Sequence, residues 1–228
     1  MDYIHLTDEC PIFAQIPTKF KSAALILHPF IQMPLEWEKK KKQNPFVHIY
    51  PSDEEMLELG KAISWGEVMG MSGLKTYHEV AIALLSSIGA LSYKYTRQDL
   101  VNIIDNRLKP SIYFPLEDTT PVYVLEDVLS VLAKNGATTF HYSEPLLGMK
   151  GILSIEETKP LDIIELAEKE LLLIDENEEF AFMNIYDSFV TLFMSTEEHI
   201  KEIIEERNWE AIVCNERTKT GWYFDSTC

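Results

Sequence analysis

The sequence predicts an α+β fold, and three observations predict it. Between residues 52 and 134, apolar residues recur near the 3.6-residue helical period, in blocks opened by capping sequences. Phe180–Ile185 and Phe189–Met194 are apolar runs of strand length joined by a short polar link. The C-terminal end reads strand, strand, helix, strand, strand, a compact module with an antiparallel sheet. The expected architecture is a helix-rich N-terminal half packed on this module. The boundary falls at residues 1–110 and 111–228, as two domains or one continuous one. A chain of 228 residues with 46% apolar and 11% aromatic content can bury a sizeable core.

Residues 1–50 resist a helical reading because Pro11, Pro17, Pro29, Pro34 and Pro45 recur too often. Ile12-Phe13 and the stretch Phe20 to Phe30 are apolar enough to pack on a core. Lys39 to Lys42 is a basic run and reads as a solvated loop or helix end. Ser52-Asp53-Glu54-Glu55 is a capping box that opens a helix through about Ile63. Thr76-Tyr77-His78-Glu79 opens the strongest helix, with Val80, Leu84, Ile88 and Leu91 at helical spacing. Thr96 to Asp99 begins another, with Leu100, Ile103, Ile104 and Leu108 inward, and Pro110 stops it. Thr120-Pro121 precedes a helix carrying Val124, Leu125, Val128, Val131 and Leu132, and Asn135-Gly136 ends it. Thr138–Tyr142 and Gly151–Ile155 are expected to pair. Lys159-Pro160 opens a helix through about Leu171, with Asp162, Glu165, Glu168 and Glu170 outside. The runs at 180–185 and 189–194 are apolar on both faces, so the hairpin is expected to be buried on two sides. Ser195-Thr196-Glu197-Glu198 is a capping box for a helix with Ile200, Ile203 and Ile204 inward. Ala211–Cys214 and Trp222–Phe224 read as the last strands.

The charge is lopsided. The chain carries −17, of which residues 111–228 hold 24 acidic and 8 basic side chains. Residues 156–206 alone hold 16 acidic against 3 basic. Such a field repels nucleic acid and anionic membrane and attracts basic proteins or cations. Helices at 97–108 and 121–134 followed by strands at 138–142 and 151–155 resemble a degenerate winged helix. Its recognition helix would carry Glu126 and Asp127 and no basic residue before Lys134, which argues against DNA binding.

The motifs that carry chemistry fail on inspection. Gly70 to Thr76 lacks the Lys that a phosphate loop places directly after its second Gly. Asp175 to Glu179 lacks the Gly and the bidentate Glu of a calcium loop, whose positions fall on Phe180 and Tyr186. His78-Glu79 has Ile82 where a metalloprotease needs a second His. The other histidines (His5, His28, His48, His141, His199) stand apart. Cys10, Cys214 and Cys228 form no disulfide framework or zinc knuckle, and Cys10 or Cys214 would be a nucleophile only with a base nearby in the fold. No cofactor or metal is implied. No apolar run approaches the roughly 20 residues of a membrane span. The N-terminus lacks the pattern of a signal peptide. A reducing cytosol is the expected location.

Tyr186-Asp187-Ser188-Phe189-Val190-Thr191-Leu192-Phe193, the acidic helix after it and the closing Glu216-Arg217-Thr218-Lys219-Thr220-Gly221-Trp222 resemble a family of uncharacterised cytosolic proteins of Gram-positive bacteria. The layout and charge are also similar to bacterial immunity proteins, which implies neutralisation of a protein partner. The expected function is therefore non-enzymatic binding of a basic protein. Its contacts would be Asp175, Glu176, Glu178 and Glu179 on a turn, and Glu198, Glu202, Glu205 and Glu206 on the last helix. The alternative is a small-ligand binder or enzyme with Trp65, His78, Tyr113, His141, Tyr142 and Glu144 lining a cleft between the halves.

Overall fold

The computed structural model describes residues 1–41, 49–167 and 169–224. Lys42, Pro45, His48, Glu168 and Cys228 lie outside the described residues. In chain order, a 3-10 turn (Ile12–Ala14) precedes β1 (Ser22–Leu27), β2 (Phe30–Gln32), α1 (Trp37–Lys41), α2 (Asp53–Leu59) and β3 (Lys61–Ile63). There follow α3 (Trp65–Ser72), α4 (Tyr77–Ser87), α5 (Gln98–Arg107), β4 (Ile112–Tyr113) and α6 (Val122–Lys134). The chain continues through β5 (Thr139–Ser143), β6 (Lys150–Ser154), α7 (Pro160–Ile164), β7 (Leu172–Asp175), β8 (Phe180–Asn184) and β9 (Val190–Ser195). It closes with α8 (Ile200–Glu206), β10 (Ala211–Val213) and a 3-10 turn (Trp222–Phe224).

These elements form two compact units, one of Met1–His28 with Leu116–Cys228, the other of Pro29–Pro115. The second is inserted into the first, with a proline at each junction. The boundary at 110 read from composition falls inside the inserted unit. The reason is β1, which lies between β10 and β9 in the sheet and so ties the first 28 residues to the last hundred. The charge follows this division. Residues 29–115 hold 10 basic and 10 acidic side chains, while the first unit holds 10 basic and 27 acidic, the whole −17.

The first unit is built on a seven-stranded sheet of order β10-β1-β9-β8-β7-β5-β6, antiparallel at every pairing. On one face Ala24, Ile26, Phe140, Leu173, Phe182 and Phe193 pack against apolar residues of α6, α7 and α8. Phe182 and Phe193 stack at 4.5 Å, and Trp209 meets both edge-on. Every residue of β8 and β9 is buried, as their two-sided apolar runs require. On the other face the N-terminal segment approaches: the Ile4 amide lies 3.4 Å from Met183 Sδ, and the Ile12 amide donates to the Thr218 carbonyl.

The second unit joins α1 to α5 with a three-stranded sheet of order β3-β2-β4. Ser52 and Ser64 each close a capping box, on Glu55 and Glu67, and Thr76 accepts from the Glu79 amide. Gly73, at φ 84°, ends α3 in the left-handed conformation that a side chain would disfavour. Trp65, Val80, Leu84 and Ile104 are buried here.

Several elements depart from the sequence reading. The helix opened by Ser52 stops at Leu59, and Lys61–Ile63 is strand β3. The helix at Pro160 ends at Ile164, and Leu172–Asp175 is strand β7, so the acidic turn at 175–179 joins two strands. Ser195 caps only a bend, accepting from the Glu197 amide at 3.1 Å, and α8 begins at Ile200. Trp222–Phe224 is a 3-10 turn, not a strand. The winged-helix reading loses its helix pair, because α5 and α6 belong to different units. Its two strands do pair, as β5 and β6.

Gly151 in β6 lies under the Tyr142 ring, and a Cβ there would sit 2.6 Å from a ring carbon. Gly151→Ala is expected to cost about 1–2 kcal/mol through overpacking, read as a lower urea midpoint with unchanged m-value.

Candidate functional site

The eight carboxylates read as a docking surface divide into two sets. Asp175 is buried and accepts from the Asn177 and Phe180 amides at 2.9 and 2.6 Å, which fixes the turn between β7 and β8. Glu176 accepts from the Thr138 amide and the Thr138 and Thr139 hydroxyls, and these bonds hold its carboxyl below the usual range. Glu178 pairs with Lys19, whose hydrogen bond lowers its pKa, and Glu206 pairs with Lys134 and Arg207 to the same effect. These four are engaged within the fold. Glu179, Glu198, Glu202 and Glu205 are exposed, and among the described residues their carboxylates have no cation or donor. They lie on neighbouring segments, because the Thr196 amide donates to the Glu179 carbonyl and the His199 ring meets Phe180 at 6.0 Å. The start of β8 thus abuts the start of α8.

The six cleft residues are divided between the two units. Trp65, His78 and Tyr113 belong to the second unit, and His141, Tyr142 and Glu144 to the first. Trp65 is a core side chain, edge-on to Tyr77. The Tyr113 ring packs between Trp37 and Tyr50. Tyr142 covers Gly151 and His141 faces solvent. Glu144 is buried, and its two oxygens accept from the Leu146 and Leu147 amides, both at 2.7 Å. Three of the six therefore serve local structure visibly: Trp65 as core, Tyr142 as a lid on Gly151, Glu144 as a loop clamp.

A polar cluster that the sequence reading missed lies within the first unit. Asn184, fully buried at the end of β8, accepts from the Leu171 amide at 2.6 Å and donates to the Asp118 and Lys169 carbonyls. Asp118 is buried at φ 61° and ion-pairs with Lys169 at 3.1 Å, which raises the Lys169 pKa. Asp118 Oδ1 and Glu170 Oε2 are buried without a hydrogen-bond partner among the described residues. Tyr3 donates to the Asn184 carbonyl, and burial pushes its pKa up, helped by Glu170 and Asp118. Nearby, His28 Nε2 lies 2.9 Å from Thr191 Oγ1, which lies 2.9 Å from Thr120 Oγ1. Buried polar groups of this kind are tolerated when bonded, and each bond here joins segments distant in sequence.

A profile of the family described as "Protein of unknown function (DUF2711)" matches residues 8–224. The chain belongs to that family. It is also similar to a Bacillus subtilis (strain 168) protein named "Uncharacterized protein YwbB", at 42% identity over 223 residues, covering 98% of this chain and 99% of that protein. No solved structure matches.

The segment through which the sequence resembles a Gram-positive family, Tyr186 to Phe193, forms the β8–β9 turn and most of β9. Its Ser188 carbonyl accepts from the Asp118 amide, and Asp187 takes up φ 47°. This segment thus anchors the polar cluster. Among the described residues, no three of His, Cys, Asp or Glu are grouped to hold a metal ion. No helix among them is long and apolar enough to cross a membrane. A pocket of about 580 Å³ opens between α6, the end of β6 and the start of α7, with Glu126, Ser130, Ser154, Glu156 and Thr158 among its lining residues.

Proposed function

We propose that this protein is a binding protein whose first unit docks a basic protein partner through Glu179, Glu198, Glu202 and Glu205. The supporting observation is that these four carboxylates stand exposed on neighbouring segments with no cation beside them among the described residues, while the inserted unit carries no net charge. A surface of this kind raises the encounter rate of an oppositely charged protein and loses that advantage in salt. Asp175, Glu176, Glu178 and Glu206 contribute to the field but not to direct contact, because their oxygens are already bonded. An immunity-like or regulatory role is one form such binding would take.

The test is affinity capture from the native lysate at low and high salt, with the wild type and a Glu198→Gln, Glu202→Gln, Glu205→Gln variant. The wild type is expected to recover a basic protein that elutes with salt, and the variant to lose it. Equal recovery by both, or none by either, would refute the reading. The variant is expected to keep its stability, since exposed charge pairs on a helix contribute only about 0.2–0.5 kcal/mol each.

A further inference from the structure

We infer that the outer edge of β6 accepts an extended basic segment of a partner protein as an eighth strand. The inference rests on the proposed binding role for the partner's charge, not for its location. β6 ends the seven-stranded sheet, and nothing pairs with its outer side among the described residues. The Glu144 amide bonds the Met149 carbonyl and the Ile155 amide bonds the Thr138 carbonyl, so odd-numbered residues face β5. In an antiparallel ladder the alternate residues then point outward. The backbone N–H groups of Lys150, Ile152 and Ser154 therefore point away from the sheet, as do the carbonyls of Lys150 and Ile152. The Ser154 carbonyl is taken by Thr158.

Soluble proteins blunt such an edge by keeping it short, or with lysine, proline, inward-pointing charge, a bulge or a cover. Lys150, at one end of this five-residue strand, is drawn into an ion pair with Asp2 at 2.7 Å. Here the central residue of the strand is Ile152, 60% exposed. The loop before it adds Leu146 and Leu147, 62% and 76% exposed. The buried Glu144 carboxylate clamps the amides of both leucines, so the apolar tip is held in place rather than loose. On the helix-covered face, the pocket beside Ser154 and Ile155 carries Glu126 and Glu156 in its wall. An added strand would alternate accordingly: apolar side chains beside Ile152 on one face, and a Lys or Arg reaching the pocket carboxylates on the other. A second copy of the chain is the less suited occupant, since each copy brings a charge of −17.

The experiment uses the full-length protein and a synthetic decapeptide of alternating lysine and valine. Amide hydrogen exchange is followed by NMR with and without peptide, and affinity is measured at low and high salt. The peptide is expected to protect the Ile152 and Ser154 amides. Ile152→Pro, which removes an outward N–H and no bond to β5, is expected to weaken binding at least tenfold. A Glu126→Gln, Glu156→Gln variant is expected to weaken it several-fold at low salt. Unprotected amides with bound peptide, equal binding by Ile152→Pro, or no binding would overturn the inference. So would prior protection of these amides in a peptide-free dimer seen by sedimentation. The Glu198→Gln, Glu202→Gln, Glu205→Gln variant is expected to bind this peptide as the wild type does. Equal lysate capture by this variant and the wild type, with edge binding intact, would count against the α8 surface alone, and lysate capture lost only in the variant, with no peptide on the edge, against the β6 edge alone.

Discussion

Replacing Asn184 by alanine is expected to cost about 3–5 kcal/mol, enough to remove a large part of the stability of a typical domain. The side chain is fully buried and makes three hydrogen bonds, one accepted from the Leu171 amide and two donated to the Asp118 and Lys169 carbonyls. Truncation leaves all three backbone groups without this partner, the Leu171 amide and the Asp118 carbonyl in buried surroundings and the Lys169 carbonyl in half-buried ones. Each such orphan costs about 1–3 kcal/mol, partly relieved by relaxation. The loss also loosens the 117–118 turn, which then relies on the Asp118 amide bond to Ser188 and the ion pair to Lys169. Urea denaturation of wild type and variant measures the effect. A loss under about 1 kcal/mol would show that the three bonds do not act as a structural clasp. Asn184→Asp is the sharper probe. It keeps the shape and the Leu171 bond but turns an acceptor toward two carbonyls. It is expected to be at least as destabilising at neutral pH, and to recover on acidification as the new carboxyl gains a proton to donate.

Much of the fold was legible because local and tertiary preferences agree. In α4 and α6, capping residues and an apolar face mark the same segment. In β8 and β9, unbroken apolar runs reflect burial on both sides. The errors arise where they disagree. Leu172 to Asp175 follows a helix-forming acidic stretch, and only pairing with β5 and β8 makes it a strand. β1 sits among prolines, and its partner β9 lies more than 160 residues away, so neither its pairing nor the inserted unit can be read locally. Net charge was legible, but which carboxylates stay free was not: Glu178 and Glu179 are neighbours, and only the first meets Lys19. The polar cluster left one signal, a lone Asn in the apolar run Phe180 to Ile185. In a strand buried on both faces such a residue needs partners, which makes it a marker of a buried network.

His28 gives the second large effect, a dependence of stability on pH. The imidazole is fully buried at the end of β1, and burial pushes its pKa down to about 3, partly opposed by a backbone hydrogen bond to Leu116. In the unfolded chain it returns to its ordinary value of 6.5. The folded pKa is therefore the lower one, and the unfolded state binds the extra proton between the two values. Stability from this group is complete above pH 6.5 and declines as pH falls toward 3. The slope is about 1.4 kcal/mol per pH unit across that window, so about 2 kcal/mol is lost between pH 6.5 and 5. That figure depends on the unfolded pKa alone so long as the folded one stays well below 5. His28→Gln places an amide nitrogen where Nε2 meets Thr191 and cannot titrate. The variant is expected to be less stable than wild type at pH 7.5, and the gap is expected to close by about 2 kcal/mol at pH 5. Other titrating groups act on both proteins and cancel in the difference. A gap that stays constant from pH 7.5 to 5 would mean that His28 takes up its proton in the folded state as readily as in the unfolded one, and that the polar end of the sheet is open to water.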